Sequence, residues 1–391
     1  MKRKSALGFL VMAGVLALGA GCSDTSASTD GPAITGLFWT DRADPDQPLK
    51  VSKSVDLAKS AKAIQESDYT VVEQPELSAN GVPARPVGEG FLLKIEYTSG
   101  ETSAETGGVI SRGTLVRGTQ EIVLYAGNGE VDNLDVVVQG DRIVWAELSD
   151  SDTAATWDWI IKSMRVGEGE PKVIATATDL NSREEVPVVV QDLHLSLSDN
   201  NLYWSPLFVE GGELVQGVFY SPADASAPAS ILFADVSLVR GDSTDLFMQK
   251  VEGLDETSDE TTRSTILALK TDIADGVIEN SANAELLGHA GKHLLFTVEG
   301  QYYLANIESK EVIAITGVTG TSNDVSVCGS RIYFQDPKTN EGEMGTHYVL
   351  NAADGSVVSV ASPLAISCSG ASAIWIPEHE PTDSVLVDWK K

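Results

Sequence analysis

Three cysteines, five histidines and a few acidic clusters are the residues with the chemistry to carry lipid, cross-link, move protons or hold metal. Cys22 closes a run of small residues, Gly19-Ala20-Gly21, while Cys328 and Cys368 stand far downstream. His289 and His293 lie at i, i+4, a spacing that makes a metal pair on a helix. Here they flank a predicted turn before a strand and have no third ligand, so they read as structural. His194 falls in an alternating strand pattern, and His347 and His379 stand alone, without a neighbour suited to general-base work. Asp41, Asp44 and Asp46, and then Asp150, Asp152 and Asp158, offer hard oxygens for Ca²⁺. Neither group has the spacing of a known calcium loop, and both read as solvated loops. No nucleophile elbow, phosphate-binding loop, H-E-x-x-H, paired C-x-x-C or EF-hand run occurs. No catalytic residue, metal or cofactor is assigned on these grounds.

The setting of Cys22 is an address. Lys2, Arg3 and Lys4 form a positive head, and residues 5–21 carry no charge. That run is short for a bilayer span, which needs ~20 residues, and suits the core of a signal peptide. The segment Leu18-Gly19-Ala20-Gly21-Cys22 resembles the lipobox of bacterial lipoproteins, with Leu18 one step further from the Cys than usual. The resemblance implies a lipoprotein signal peptide over 1–21, cleavage before Cys22, and a diacylglycerol on its sulfur with acyl chains such as palmitate. Two or three chains hold a protein stably on a membrane. Ser23, by resemblance to enterobacterial sorting, does not signal inner-membrane retention. The expectation is an anchor in the cell membrane or outer membrane, facing the extracytoplasmic side. Residues 22–33 are small and polar and read as a flexible tether.

The chain has 27 Lys and Arg against 57 Asp and Glu, a net charge of −30. Without Lys2, Arg3 and Lys4 the balance is 24 against 57, or −33. Such a surface repels nucleic acid, whose binding needs clustered cations. It also repels anionic headgroups, which leaves the lipid on Cys22 as the membrane contact. Solubility in an extracellular medium accounts for the acidity most simply.

Residues 34–391 then have to supply one large domain. Helical periodicity is scarce, and the best candidate runs from Ser54 to Glu66 with Leu57, Ala61 and Ile64 on one side. Elsewhere short apolar runs alternate with Gly, Asp, Asn and Ser, the pattern of many short strands. A unit recurs: GDRIVW at 140–145, DNNLYW at 199–204, GKHLLF at 291–296, GSRIYF at 329–334 and GASAIW at 370–375. GDSTDLF at 241–247 and GEGFLL at 88–93 are weaker copies. In each a turn residue precedes a large apolar or aromatic one. The ends of the units are spaced by 52, 59, 43, 49, 38 and 41 residues, the scale of one propeller blade, ~40–50 residues. After Trp145 come WDWIIKSMRV at 157–166, a turn, and PKVIA at 171–175. The unit is therefore two hairpins, or four antiparallel strands, and its aromatic packs between neighbouring sheets. An all-β propeller follows. Seven units point to seven blades, and the extra aromatic strand Gly36 to Trp39 leaves eight open. The last unit lacks a fourth strand, which the N-terminal segment can supply to close the ring. The acidic run Glu252 to Glu260 reads as a surface insertion.

The strand Tyr348-Val349-Leu350-Asn351-Ala352-Ala353-Asp354-Gly355, with a second copy at Tyr303-Leu304-Ala305-Asn306-Ile307, resembles the repeats of TolB-type, WD40-like bacterial cell-surface propellers. The resemblance covers roughly residues 85–391 and carries no activity with it. Within the repeat, Cys328 and Cys368 fall on the innermost strands of consecutive units. In an oxidising compartment they are candidates for a disulfide, although their one-residue offset can put the side chains on opposite strand faces. Two functional classes remain. One is a binding or scaffolding module for a protein or peptide partner. The other is an extracellular hydrolase or lyase acting on glycans or peptides, which requires carboxylates or His from different blades to converge at the ring axis.

Overall fold

The computed structural model describes residues 31–40, 48–73, 84–98, 109–150, 157–177, 193–210, 213–234, 236–238, 246–252, 263–270, 273–280, 284–318, 325–336, 346–361, 363–370, 372–377 and 385–390. Cys22, the acidic trio Asp41, Asp44 and Asp46, Asp152, His379 and most of the acidic insertion lie outside these residues. So do the side chains of Asp150 and Asp158.

The described strands fall into seven sheets, spanning 85–131, 133–176, 196–234, 236–280, 285–316, 325–361 and 363–389. Six are built on antiparallel neighbours in sequence order, the 363–389 sheet with three such strands of its own. In the 196–234 sheet Leu207–Glu210 folds back on Glu213–Pro222, which also pairs with Asn201–Trp204 and Ser230–Ala234. Around most of the ring the first strands of neighbouring sheets touch, and the 363–389 sheet touches the 85–131 sheet. There Ala84 and Leu92 pack on Ile374 and Leu386, which closes the circle.

The turn residue of the repeat has a geometric cause. Between the first two strands of a sheet the chain reverses in two residues, and φ is positive at Gly140 (60°), Gly291 (59°), Gly329 (57°) and Gly370 (58°). Asp199 (49°) and Asn200 (62°) do the same job with the residues that tolerate it next best. Gly329 has a second reason: a Cβ there would lie 2.7 Å from the carbonyl oxygen of Gly370 in the next sheet. The aromatic that ends the unit is the inter-sheet wedge. Trp145, Trp204, Phe247, Phe296 and Phe334 are at most 2% exposed. Trp145 packs with Phe91 and Leu93 of the preceding sheet, and Phe334 with Tyr302 and Leu304.

The N-terminal segment does not form a sheet of its own. Ala33–Trp39 pairs with the outer strand of the 236–280 sheet, and Pro48–Lys50 pairs with Ala33–Trp39. Lys53–Asp56 then adds in parallel to Val312–Thr316, and Lys62–Ala63 in parallel to Val357–Ala361. Tyr69–Glu73 completes the 363–389 sheet as its fourth strand, antiparallel to Val385–Trp389. One segment thus crosses the outer edges of four consecutive sheets. It also sends side chains between them: Leu37, Trp39 and Leu49 into one core, Leu57 into the next, and Ile64 and Tyr69 against the third.

This corrects the helix expected over Ser54 to Glu66. Only Leu57–Ser60 is helical, one turn with Asp56 as N-cap accepting from the Lys59 amide at 3.1 Å. The helical spacing of Leu57, Ala61 and Ile64 arises because each faces the ring from a different part of the strap. It also corrects the eighth blade, because Gly36 to Trp39 is consumed in edge pairing.

Leu57 is fully buried. Leu57→Ala should therefore cost about 3 kcal/mol in urea denaturation, the range for a core leucine. Ser54→Ala, which removes a single exposed 3.3 Å bond to the Ala314 carbonyl, should cost less than about 1 kcal/mol. Equal costs would show that the strap rests on backbone pairing alone.

Candidate functional site

Segment 193–195 sits just before the strand Ser196–Ser198. Leu193 is fully buried in the core between the 133–176 and 196–234 sheets, and its carbonyl accepts from the Ser205 amide at 2.8 Å. Two residues on, the Leu195 amide donates to Asp135 Oδ2 at 3.4 Å, reaching across to the preceding sheet. With both neighbours pinned, His194 adopts φ of +49°, a left-handed conformation that costs a non-glycine residue of order 1 kcal/mol. Its side chain lines a cavity of about 210 Å³.

That cavity is assembled from three consecutive sheets. Gln216 comes from the same sheet as His194, Ser237, Leu238 and Gln249 from the next, and Leu286 and Leu287 from the one after. Ser237, Leu238, Leu286 and Leu287 sit on the first, axis-side strands of their sheets. Ser237 Oγ donates to the Gln249 carbonyl at 3.4 Å. Burial pushes the His194 pKa below its usual 6.5, outweighing the Asp135 charge and a hydrogen bond with the Leu238 backbone, both of which act upward. At neutral pH the imidazole is uncharged, with one donor and one acceptor nitrogen. The lining is therefore an imidazole, two carboxamides, a hydroxyl and leucines. That set matches a neutral polar group such as a peptide amide.

The other sequence candidates lie elsewhere. His289 is 1% exposed and meets the Phe247 ring edge-on at 4.8 Å between centroids. His293 Nε2 is 2.9 Å from Asn306 Nδ2. The two histidines sit on opposite strands of one hairpin and are engaged with different partners. His347 is buried in Thr346–Asn351. Among the described residues, no group of three or more His, Cys, Asp or Glu is placed to hold a metal ion. Cys328 and Cys368 are joined as a disulfide, with Cα atoms 5.9 Å apart. It ties the first strands of the last two sheets beside the Gly329–Gly370 contact.

No family model matches the sequence, and no curated protein matches it. Solved structures do. The β-propeller domain of the trilobed protease from Pyrococcus furiosus, described as having an open velcro topology, superposes with a TM-score of 0.51 at 11% identity. The match covers 83% of this chain and 93% of that one. The fold is a β-propeller. TolB from Acinetobacter baumannii gives a TM-score of 0.36 at 10% identity over 77% of this chain and 80% of its own. An acylaminoacyl peptidase in complex with Z-Gly-Gly-Phe-chloromethyl ketone gives 0.44 at 9% identity over 62% of this chain. The chain spans 42% of that peptidase.

In propeller terms the site straddles three blades at the axis. Sequence reasoning placed His194 in a strand and missed it as a lining residue. The signal it carried was its place immediately before an alternating strand, and its partners are 22 to 93 positions away in sequence.

The lowered His194 pKa has a consequence for stability. Above pH 6.5 the ring is neutral whether the chain is folded or not. As pH falls below 6.5 the unfolded chain takes up the proton first, so folding loses stability through the folded-state pKa. The melting temperature of the wild type should fall between about pH 7 and pH 5 more than that of His194→Gln. Parallel curves would contradict the assignment.

Proposed function

We propose that this chain is a lipid-anchored extracytoplasmic binding protein that presents the axis face of its propeller to a protein or peptide. The pocket lined by His194, Gln216, Ser237 and Gln249 carries this reading. Its polar groups are neutral and amide-like, and leucines flank them. Such a lining satisfies backbone N–H and C=O groups of an extended segment while burying an apolar side chain.

The anchor follows from residues 1–33. After signal cleavage Cys22 takes the lipid, and residues 22–33 hold the propeller off the membrane. A domain of charge −33 and an anionic leaflet repel one another, so the tether keeps the axis face accessible. The cell membrane and the outer membrane both suit such an anchor. The Cys328–Cys368 bond suits an oxidising compartment on the same side.

One experiment in intact cells tests both halves. A photo-crosslinking amino acid replaces Gln249, and the membrane and aqueous fractions are separated. The wild-type leader should give a membrane-bound protein with one reproducible crosslinked partner. Cys22→Ser should lose incorporated palmitate and leave the membrane fraction. Absence of any reproducible adduct at Gln249, with a surface control position equally silent, would remove the axis-face reading. Unchanged palmitate labelling of Cys22→Ser would remove the anchor.

A further inference from the structure

A second cavity, of about 430 Å³, opens between the 325–361 blade, the 363–389 blade and the strap. It lies on other blades than the axis pocket and is independent of it. In a chain of net charge −30, two cations line it, Arg331 and Lys390. Among the described residues neither is in an ion pair. The guanidinium lies over the Trp389 ring at 4.8 Å, and its Nη2 donates to the Lys390 carbonyl at 3.1 Å. Lys390 Nζ donates to the Glu66 carbonyl at 3.1 Å. Backbone carbonyls thus orient both cations, and the Asp354 charge attracts Arg331 without forming an ion pair with it.

Two carboxylates share the lining, Asp68 and Asp354, and both are engaged in their own turns. Asp68 accepts from the Gln65 amide at 2.8 Å and from Ser67 Oγ at 3.4 Å. Asp354 accepts from the Ser356 amide at 2.8 Å, and hydrogen bonds from Ser356 hold its pKa below the usual value. Arg331 is half-buried, so its charge has lost part of its hydration. A partly desolvated guanidinium placed over an aromatic ring and bound to one carbonyl retains further donors in its fork. That fork matches a planar or tetrahedral oxyanion. Ser330 adds a hydroxyl to the same lining.

We propose that this cleft is a binding site for a hydroxylated small molecule carrying one oxyanion, a carboxylate or a phosphate. The volume falls in the range of small-molecule sites, ~300–1,000 Å³. The oxyanion meets Arg331 and Lys390, and the ligand's hydroxyls meet Ser330, Asn351 and Ser356 of the same lining.

Titration calorimetry of the folded full-length chain against glucuronate, glucose 6-phosphate, inorganic phosphate and glucose tests this. Glucuronate or glucose 6-phosphate should bind, and affinity should fall with added salt. Arg331→Gln should weaken binding by about tenfold or more, the size of a lost charge-assisted hydrogen-bond pair. Arg331→Lys, which keeps the charge and loses the fork, should restore only part of it. If Arg331→Gln fails to fold by near-ultraviolet circular dichroism, Lys390→Gln decides, since that residue is exposed. It should weaken binding about threefold or more. Preference for glucuronate over glucose 6-phosphate assigns the carboxylate, and the reverse assigns the phosphate. Glucose binding as tightly as its charged relatives would overturn the proposal. So would no heat from any anion, or affinity unchanged in the folded variants.

Discussion

The ring depends on the capture of one N-terminal segment by the outer edges of four consecutive sheets. A sheet edge presents unpaired N–H and C=O groups, and each blade of a ring of separate sheets has one such edge at the rim. Here Ser52 donates to the Val312 carbonyl at 2.8 Å, Ile64 to the Ser359 carbonyl at 3.1 Å, and Lys390 to the Asp68 carbonyl at 3.0 Å. Ser52 Oγ adds a reciprocal pair, donating to the Val312 carbonyl at 2.8 Å and accepting from its amide at 3.1 Å. These bonds satisfy edges. The buried residues between them, Trp39, Leu49 and Leu57, fill the seams between blades. Pairing and wedging come from the same forty-odd residues, so loss of one weakens the other.

The strap and the disulfide divide the work. Toward the axis, Cys328–Cys368 joins the first strands of the last two sheets. At the rim, Tyr69–Glu73 completes the last sheet after the strap has passed the preceding blades. From there the chain enters the first strand of the 85–131 sheet, whose Leu92 packs against Ile374 and Leu386. The last blade is thus held at two radii, by a covalent bond to its neighbour inside and by a strand from the other end of the chain outside. The outer edges of the three sheets over 85–234 carry no strap strand. Val123, Val173 and Ile231, on those outer strands, are among the few large apolar side chains left exposed.

The repeat was readable from sequence because its cause is local. A two-residue turn with positive φ demands Gly or Asn/Asp, and a wedge between sheets demands a large apolar residue at a fixed distance. GDRIVW and GSRIYF record both demands. The strap was not readable. Lys53–Asp56 and Lys62–Ala63 are held through backbone pairing to strands some 260 to 300 residues away, and backbone pairing leaves no side-chain signature. Leu57, Ala61 and Ile64 then imitate a helix. The axis pocket was hidden for a related reason. His194, Gln216, Ser237, Gln249, Leu286 and Leu287 are unremarkable singly, and only blade stacking brings them together. The cleft at Arg331 and Lys390 needs three chain segments for the same effect.

Native-state hydrogen exchange of the strap is the most direct measurement of this account. The amides of Ser52 and Ile64 should exchange only with the global opening that also releases Val312 and the inner strands, so that one free energy describes them all. Exchange of Ser52 and Ile64 at the rate of exposed loops, with Val312 and the inner strands still protected, would mean that the ring closes without its strap.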